Sequence, residues 1–254
     1  MSDISIQVHE DSGTVVLTLQ RAPLNIMNIA MLEALRTAVR DAVDCRRRFL
    51  VIKASGKAFS AGVDVADHLP DRVERMVEAF HGIFKLLASF EGLSLCCVQG
   101  AALGGGCELA MGADLVLASS AAKFAQPEIL LGVFPPVAAV LLPSLAPPRA
   151  AMEMILTGEA IDALEARRLG FVNKVFEAAA FEADCQRYLE RLQALSSSSL
   201  AITKTALRRL HPADFEKKLA LAEEIYMRRL MHTKDAEEGS AAFMAKRKPV
   251  WTHS

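Results

Sequence analysis

The chain has 254 residues, of which 52% are hydrophobic, so it can bury one sizeable core. Its 29 basic and 30 acidic residues leave a formal net charge of -1, which creates no overall field to attract nucleic acid or an anionic membrane. The sequence has no apolar run of the ~18 residues that a membrane span needs, and no secretory signal pattern at its start. We therefore expect a cytoplasmic protein without nucleic-acid or membrane partners, in which local groups hold any anionic ligand.

The cysteine pattern also favours a reducing compartment. The five cysteines are odd in number, and they form neither a CxxC motif nor the Cys/His spacing of a zinc site. Cys96 and Cys97 are expected to act as small core residues of a strand. These residues predict no metal site.

The first 120 residues alternate between strand and helix signals. Alternating apolar and polar residues predict a hairpin over residues 4–20. Periodicity and apolar runs predict helices over 31–43 and 71–91, and strands over 49–52, 93–98 and 114–118. This order implies an α/β fold in which right-handed crossovers join parallel strands.

Helical patterns dominate from residue 149 onward. Helices are predicted over 149–156, 162–169, 181–195, 198–209 and 214–231, with one extended segment over 171–175. Such a helical layer either completes an oligomer or packs on the chain's own core.

Three consecutive glycines, Gly104 to Gly106, follow a predicted strand and open a predicted helix. The first amides of a helix lack intrahelical partners and carry partial positive charge, so they suit an oxyanion. The alternative is tight packing of helix on strand, where only glycine fits. Because three glycines cost conformational entropy, the run favours the functional interpretation.

A second glycine-containing loop, residues 58–64, follows the strand predicted over 49–52. Open α/β sheets bind ligands at the carboxyl ends of their strands, where this loop is expected to lie. Taken alone, such a loop is an ordinary turn more often than a ligand site. Asp64 then does no more than cap the next segment.

Two glutamates accompany the glycine run. Glu108 lies in the first turn of the predicted helix among apolar neighbours, and Glu128 follows a proline. Partial desolvation would raise the pKa of Glu108 toward the range useful for proton transfer. The alternative is a solvated helix glutamate, and the neighbouring glycines favour the catalytic interpretation.

Several other site patterns are absent. Ser60 does not stand in a G-x-S-x-G elbow, and there is no G-x-G-x-x-G motif or P-loop lysine. These absences argue against serine hydrolases and against dinucleotide or nucleoside triphosphate enzymes. His81 is interpreted as an interfacial residue of its helix, and the other histidines as surface residues.

In combination and order, these motifs resemble the crotonase, or enoyl-CoA hydratase/isomerase, superfamily. The resemblance covers nearly the whole chain and is carried by residues 23–25, 58–64, 100–108, 126–132 and 156–158. It implies a spiral of ββα turns over residues 1–195, and a C-terminal α-helical trimerisation region over 196–254. The implied assembly is a homotrimer or a dimer of trimers.

The resemblance also implies the roles of the site residues. The amides of Val63 and Gly105 would form an oxyanion hole for the thioester oxygen of an acyl-CoA substrate. Glu108 and Glu128 would be the catalytic pair, and hydratases of the family have both, whereas isomerases and decarboxylases commonly lack one. This favours a hydro-lyase that needs no metal or redox cofactor, since coenzyme A is part of the substrate.

Further residues are assigned to the substrate by the same resemblance. Ala61 would face the adenine, and the segment from Ala22 to Leu24 would line the pantetheine. Lys246 belongs to a basic run that would contact phosphates, even those of a neighbouring subunit's ligand, or would simply end a helix in solvent. The remaining members of the expected substrate-binding set are Asp64, Gly104 and Pro136.

One segment departs from the family's hydratases. Residues 135–139 read Pro-Pro-Val-Ala-Ala where those enzymes usually have a glycine-rich stretch, so a different acyl pocket is expected. The chain most resembles the members that hydrate cyclohexa-1,5-diene-1-carbonyl-CoA in anaerobic aromatic degradation. The alternatives are a general 2-enoyl-CoA hydratase or isomerase of fatty-acid oxidation, and a non-catalytic acyl-CoA-binding protein.

Overall fold

The computed structural model describes residues 6–11, 13–210 and 214–254. Within these ranges the chain forms nine strands and ten α-helices. The strands are β1 (Ile6–Asp11), β2 (Thr14–Leu19), β3 (Phe49–Ala54), β4 (Leu93–Val98), β5 (Ala101–Leu103), β6 (Leu115–Ser119), β7 (Lys123–Ala125), β8 (Ile161–Asp162) and β9 (Lys174–Phe176). The helices are α1 (Ile29–Asp44), α2 (Val73–Ser89), α3 (Gly105–Met111), α4 (Pro136–Leu145), α5 (Pro148–Thr157), α6 (Ala163–Leu169), α7 (Phe181–Gln193), α8 (Ser197–Leu210), α9 (Phe215–Arg228) and α10 (Lys234–Met244).

Six strands form the main sheet in the order β1-β2-β3-β4-β6-β9. The first pair is antiparallel and the other four pairs are parallel, which confirms both the hairpin and the parallel crossovers. Gly13 has φ of 86° in the hairpin turn, a conformation that glycine adopts without strain. Residues 4, 5 and 12 of the predicted hairpin lie outside the described residues.

Both faces of the central strands are buried. Leu50 and Cys96 belong to the main core with α1 and α2, whereas Val51 and Cys97 pack with α7 on the opposite face. This alternation follows the two-residue period of a strand. It confirms that Cys96 and Cys97 are core residues.

A second, three-stranded sheet carries the glycine run toward the site. It has the order β5-β7-β8, and β5 runs parallel to β7. The amide of Gly104 donates a hydrogen bond to the carbonyl of Ala125 at 2.9 Å. This bond joins the end of β5 to the end of β7, so α3 and the turn that carries Glu128 start side by side.

Two helices, α4 and α10, are missed by the sequence patterns. Pro135 and Pro136 suggest a break, but Pro136 is the first residue of α4, where a proline loses no intrahelical hydrogen bond. In α10, Gly239 lowers the helix propensity. A Cβ there would lie 2.0 Å from the carbonyl oxygen of Leu131, so tertiary packing requires the glycine.

The C-terminal helices pack on the sheet-containing part of the chain. Asp114 binds α8 through ion pairs with Lys204 at 2.6 Å and Arg208 at 2.9 Å. Tyr226 of α9 packs edge-on against Phe134, with ring centroids 5.6 Å apart. The boundary between residues 195 and 196 stays a prediction. Across the described ranges, none of the helices combines the length and apolar character required to cross a bilayer.

Candidate active site

A cavity of about 340 Å³ lies where the ends of several elements converge. Its walls are formed by the loop after β3, the start of α3, the turn that carries Glu128, the start of α4, and faces of α2, α9 and α10. Most of the side chains around it are apolar, including Met76, Phe80 and Phe134. The polar groups are few, which is typical of a small-molecule site.

Two backbone amides, those of Val63 and Gly105, lie close together beside this cavity. The Cβ position of Gly105 lies 3.3 Å from the nitrogen of Val63, and that of Gly62 lies 3.6 Å from the nitrogen of Gly105. The amide of Met27 donates to the carbonyl of Gly62, and the carbonyl of Met27 accepts from the amide of Asp64. This pairing leaves out the amide of Val63, which lies between those two residues. The hydrogen bonds recorded among the described residues use neither the Val63 nor the Gly105 amide. Adjacent unpaired amides can bind a developing oxyanion.

The carboxyl group of Glu128 packs directly against Gly104, the first residue of the glycine run. Gly104 precedes α3 with φ of 51°, and a Cβ on it would lie 2.3 Å from Glu128 Oε1. The other carboxyl oxygen, Oε2, is buried and has no hydrogen-bond partner among the described residues. An unpaired buried carboxyl oxygen is costly in a purely structural role and therefore indicates function.

Glu108 is held by the start of α4. It is 2% exposed, and its Oε1 accepts a hydrogen bond of 2.7 Å from the amide of Ala138. The amide of Val137 also favours its charged form. Residues 135–139, which differ from the family's usual glycine-rich stretch, thus provide backbone amides that bind the carboxylate of Glu108. The sequence patterns do not predict this role.

The two carboxyls titrate as an interacting pair. Burial raises the pKa of Glu108 to about 7, against the opposing effect of the α4 amides. Burial and then the charge of Glu108 raise the pKa of Glu128 well above its usual range. Because two such groups resist joint ionisation, the pair holds one proton near neutral pH, which provides an acid and a base together.

Glu108→Gln is expected to stabilise the protein at pH 8. Because burial raises the folded-state pKa of Glu108 from 4.5 to about 7, the folded state keeps a proton that the unfolded chain has lost. This stabilisation is complete below the unfolded pKa and disappears as the pH rises through 7, a loss of about 3 kcal/mol. Glutamine is uncharged and keeps an oxygen that accepts from Ala138.

Thermal unfolding at equal protein concentration tests this expectation. The variant's melting temperature is expected to exceed that of the native protein by several degrees at pH 8 and to match it near pH 4.5. A variant that melts below the native protein at pH 8 would contradict it.

Seven of the residues assigned from sequence line this one cavity: Ala61, Val63, Gly104, Gly105, Glu108, Glu128 and Pro136. The other four do not. Asp64 accepts a hydrogen bond from the amide of Ala66 and caps the short helical turn that follows, the alternative weighed from its sequence. Ala22 and Leu24 are exposed in the adjoining loop, where the carbonyl of Leu24 accepts from the amide of Ala61.

Lys246 lies outside the cavity, and its neighbour Arg247 lines it. Lys246 is exposed, with φ of 52° just beyond the end of α10. Arg247 also forms an ion pair with Glu238. The basic run therefore reaches the cavity through Arg247, and not through Lys246, the residue assigned from sequence.

Three further polar side chains line the cavity without a sequence signal: His68, His81 and Tyr226. The interpretation of His68 as a surface residue is wrong, because it lies on the cavity wall, where burial lowers its pKa. Tyr226 is 2% exposed, and burial followed by the charges of Glu128 and Glu108 raises its pKa. Tyr226 lies in α9, nearly a hundred residues beyond Glu128, so only the tertiary structure brings them together.

Comparison with known proteins gives full-length matches. Residues 9–254 match the enoyl-CoA hydratase/isomerase family. The chain is 34% identical over 252 residues to a cyclohexa-1,5-dienecarbonyl-CoA hydratase of Thauera aromatica, covering 98% of this chain and 97% of that protein. It is 35% identical over 263 residues to a probable enoyl-CoA hydratase of Rhizobium meliloti, covering 100% of both.

A crystal structure of an enoyl-CoA hydratase from Mycobacterium avium subsp. paratuberculosis superposes with a TM-score of 0.89. The sequence identity is 25%, and the match covers 98% of both chains. This confirms the expected crotonase-like α/β fold with its C-terminal helices. The chain therefore belongs to the enoyl-CoA hydratase/isomerase family and is an enzyme of the hydro-lyase type.

Proposed function

We propose that this enzyme adds water to a conjugated enoyl-CoA thioester at the cavity that holds Glu108 and Glu128. One observation carries the proposal: two buried, interacting carboxyls share a cavity with the unpaired amides of Val63 and Gly105. Hydration of such a thioester passes through an enolate, whose oxygen needs donors, while water addition needs an acid and a base.

The proposed reaction balances within this set of groups. The two amides donate hydrogen bonds to the thioester oxygen as it gains negative charge. One glutamate, as carboxylate, takes a proton from water while the water oxygen bonds to the β-carbon. The other glutamate, as carboxylic acid, delivers a proton to the α-carbon. The pair ends with its single proton exchanged between the two residues.

For the acyl group we propose cyclohexa-1,5-diene-1-carbonyl, the dienoyl thioester formed in anaerobic aromatic degradation. Support comes from the Thauera aromatica relative, which matches 98% of this chain. A cavity of about 340 Å³ with Phe80, Phe134 and Pro136 in its wall also suits a compact ring. A general 2-enoyl-CoA hydratase or isomerase, or an acyl-CoA-binding protein without activity, are the alternatives.

The assembly and the location of the enzyme belong to the same proposal. Ile202, Leu207 and Leu210 of α8 are exposed, and apolar surface of this kind suits burial in a homotrimer or a dimer of trimers. Ala22, Leu24 and Lys246 are proposed to contact the coenzyme A moiety at the cavity mouth. A cytoplasmic location fits the reduced state of all five cysteines.

A panel of acyl-CoA esters followed by mass spectrometry tests the substrate. Hydration adds the mass of one water, whereas isomerisation adds none. We expect a higher kcat/KM with cyclohexa-1,5-diene-1-carbonyl-CoA than with crotonyl-CoA. Faster hydration of crotonyl-CoA would favour the general hydratase, and double-bond migration without added mass would favour the isomerase. Binding without any turnover would favour the non-catalytic alternative.

A further inference from the structure

A histidine on the cavity wall and the carboxylate that it contacts have no part in the proposed hydration. His81 of α2 is 2% exposed, and its Nδ1 lies 2.8 Å from Oε1 of Glu223 in α9. Lys85 donates a hydrogen bond to the same oxygen at 3.2 Å. The hydrogen bond from His81 lowers the pKa of Glu223, with help from the charges of His81 and Lys85. An ionised carboxylate can only accept, so Nδ1 of His81 carries the proton.

Nε2 is then the ring nitrogen that is left for a ligand. His81 lines the cavity beside Val77 and Phe80, both apolar. The hydrogen bonds recorded for the described residues give His81 a single partner, Glu223. Nε2 is not one of the fully buried unpaired atoms of the described residues, so it keeps some accessible surface, and a ligand that enters this apolar part of the cavity can reach it.

The position of the pair in the cavity follows from α9. Glu223 and Tyr226 are three residues apart and therefore lie on the same side of that helix. Tyr226 faces the catalytic carboxyls, whose charges act on its hydroxyl. Glu223 thus lies about 5 Å along the axis of α9, roughly one helical turn, from the tyrosine next to the catalytic carboxyls.

We propose that His81, oriented by Glu223, forms a polar subsite in the acyl pocket that binds a hydroxyl remote from the thioester, and so extends the substrates beyond the cyclohexadienecarbonyl group, which has no hydroxyl. Nε2 forms a hydrogen bond with that hydroxyl, which donates to a neutral imidazole and accepts from a charged one, and Glu223 holds the ring in place through Nδ1. The inference rests on the proposed function, because it takes the cavity to be the acyl site. The competing explanation is structural: the pair only joins α2 to α9.

Binding of unreactive saturated esters separates these explanations. The probes are two matched pairs, hexanoyl-CoA with 6-hydroxyhexanoyl-CoA and cyclohexanecarbonyl-CoA with 4-hydroxycyclohexanecarbonyl-CoA, measured by titration calorimetry. In at least one pair the hydroxylated ester is expected to bind about tenfold more tightly, the effect of one net hydrogen bond. His81→Phe keeps an aromatic ring but removes the ring nitrogens. We expect the two esters of each pair to bind this variant with about equal affinity.

Lys85→Met provides the matched control. Lys85 contacts Glu223 but does not line the cavity, so its loss weakens the link between α2 and α9 while His81 and Glu223 both remain. The preference is expected to persist in this variant. Equal affinities within both pairs for the native enzyme would overturn the inference, and this test does not depend on the folding of His81→Phe. An unchanged preference for the hydroxylated ester in folded His81→Phe would also overturn it. If none of the esters binds, the acyl-CoA site itself is wrong and the proposed function falls with the subsite.

Discussion

Glu128→Gln is expected to lower kcat for hydration by about 10³-fold, and Glu108→Gln by a similar factor. Each substitution keeps the size of the side chain but removes a group that can exchange a proton. Because the two carboxyls share one proton, the loss of either leaves the site without a base or without an acid. The measurement is the rate of water addition to an enoyl-CoA ester at saturating substrate, with the product followed by mass.

Affinity distinguishes a chemical defect from a folding defect. Both variants are expected to bind a saturated acyl-CoA within about threefold of the native enzyme, since neither carboxyl is assigned to the coenzyme A moiety. Glu165→Gln is the control, because Glu165 is paired with Arg168 on the surface and lies outside the cavity. Near-native turnover in one of the two catalytic variants would remove that glutamate from the mechanism.

Gly104→Ala is expected to reduce kcat/KM by at least about 10²-fold. Gly104 has φ of 51°, and a Cβ would stand 2.3 Å from Glu128 Oε1. The methyl group therefore displaces either the carboxyl of Glu128 or the backbone that presents the amide of Gly105. Misplacing one oxyanion donor costs about 10²- to 10³-fold in other enzymes.

Gly56→Ala separates this effect from backbone strain. Gly56 also has a positive φ, 81°, but a Cβ there has no atom within 4 Å and lies outside the cavity. We expect Gly56→Ala to lose about 1 kcal/mol of stability and to retain its kcat/KM. If the two alanine variants lose activity equally, strain and not the displacement of Glu128 explains the result.

The sequence predicts the six strands of the main sheet and most helices, because their signals are local, but not the three short strands of the second sheet. The residues of β3 and β4 form short apolar runs, those of α2 form an apolar stripe with helical spacing, and glycines mark several turns. The failures have physical causes. Pro135 and Pro136 suggest a break where a helix begins, and Gly239 weakens a helix because packing against Leu131 leaves no room for a side chain.

The residues of the candidate site also fall into two groups, those that the sequence predicts and those that it does not. The glycine run and the two glutamates can be found from sequence, because each is a short motif placed at the end of a predicted strand. His81 and Glu223 cannot, since 142 residues separate them and each looks like an ordinary helix residue. Residues of the C-terminal helices enter the cavity wall only after the chain has folded back over α2 and α4.

The sequence alone determined the alternation of strands and helices in the first 120 residues, the resemblance to the crotonase superfamily, and the presence of both Glu108 and Glu128. Only the tertiary structure decided what surrounds those carboxyls. The amides that hold Glu108 come from residues 137 and 138, and the unpaired Oε2 of Glu128 depends on which groups pack around it. The physical reason is that propensity and periodicity act over a few residues, whereas desolvation and pKa depend on every element that closes the cavity.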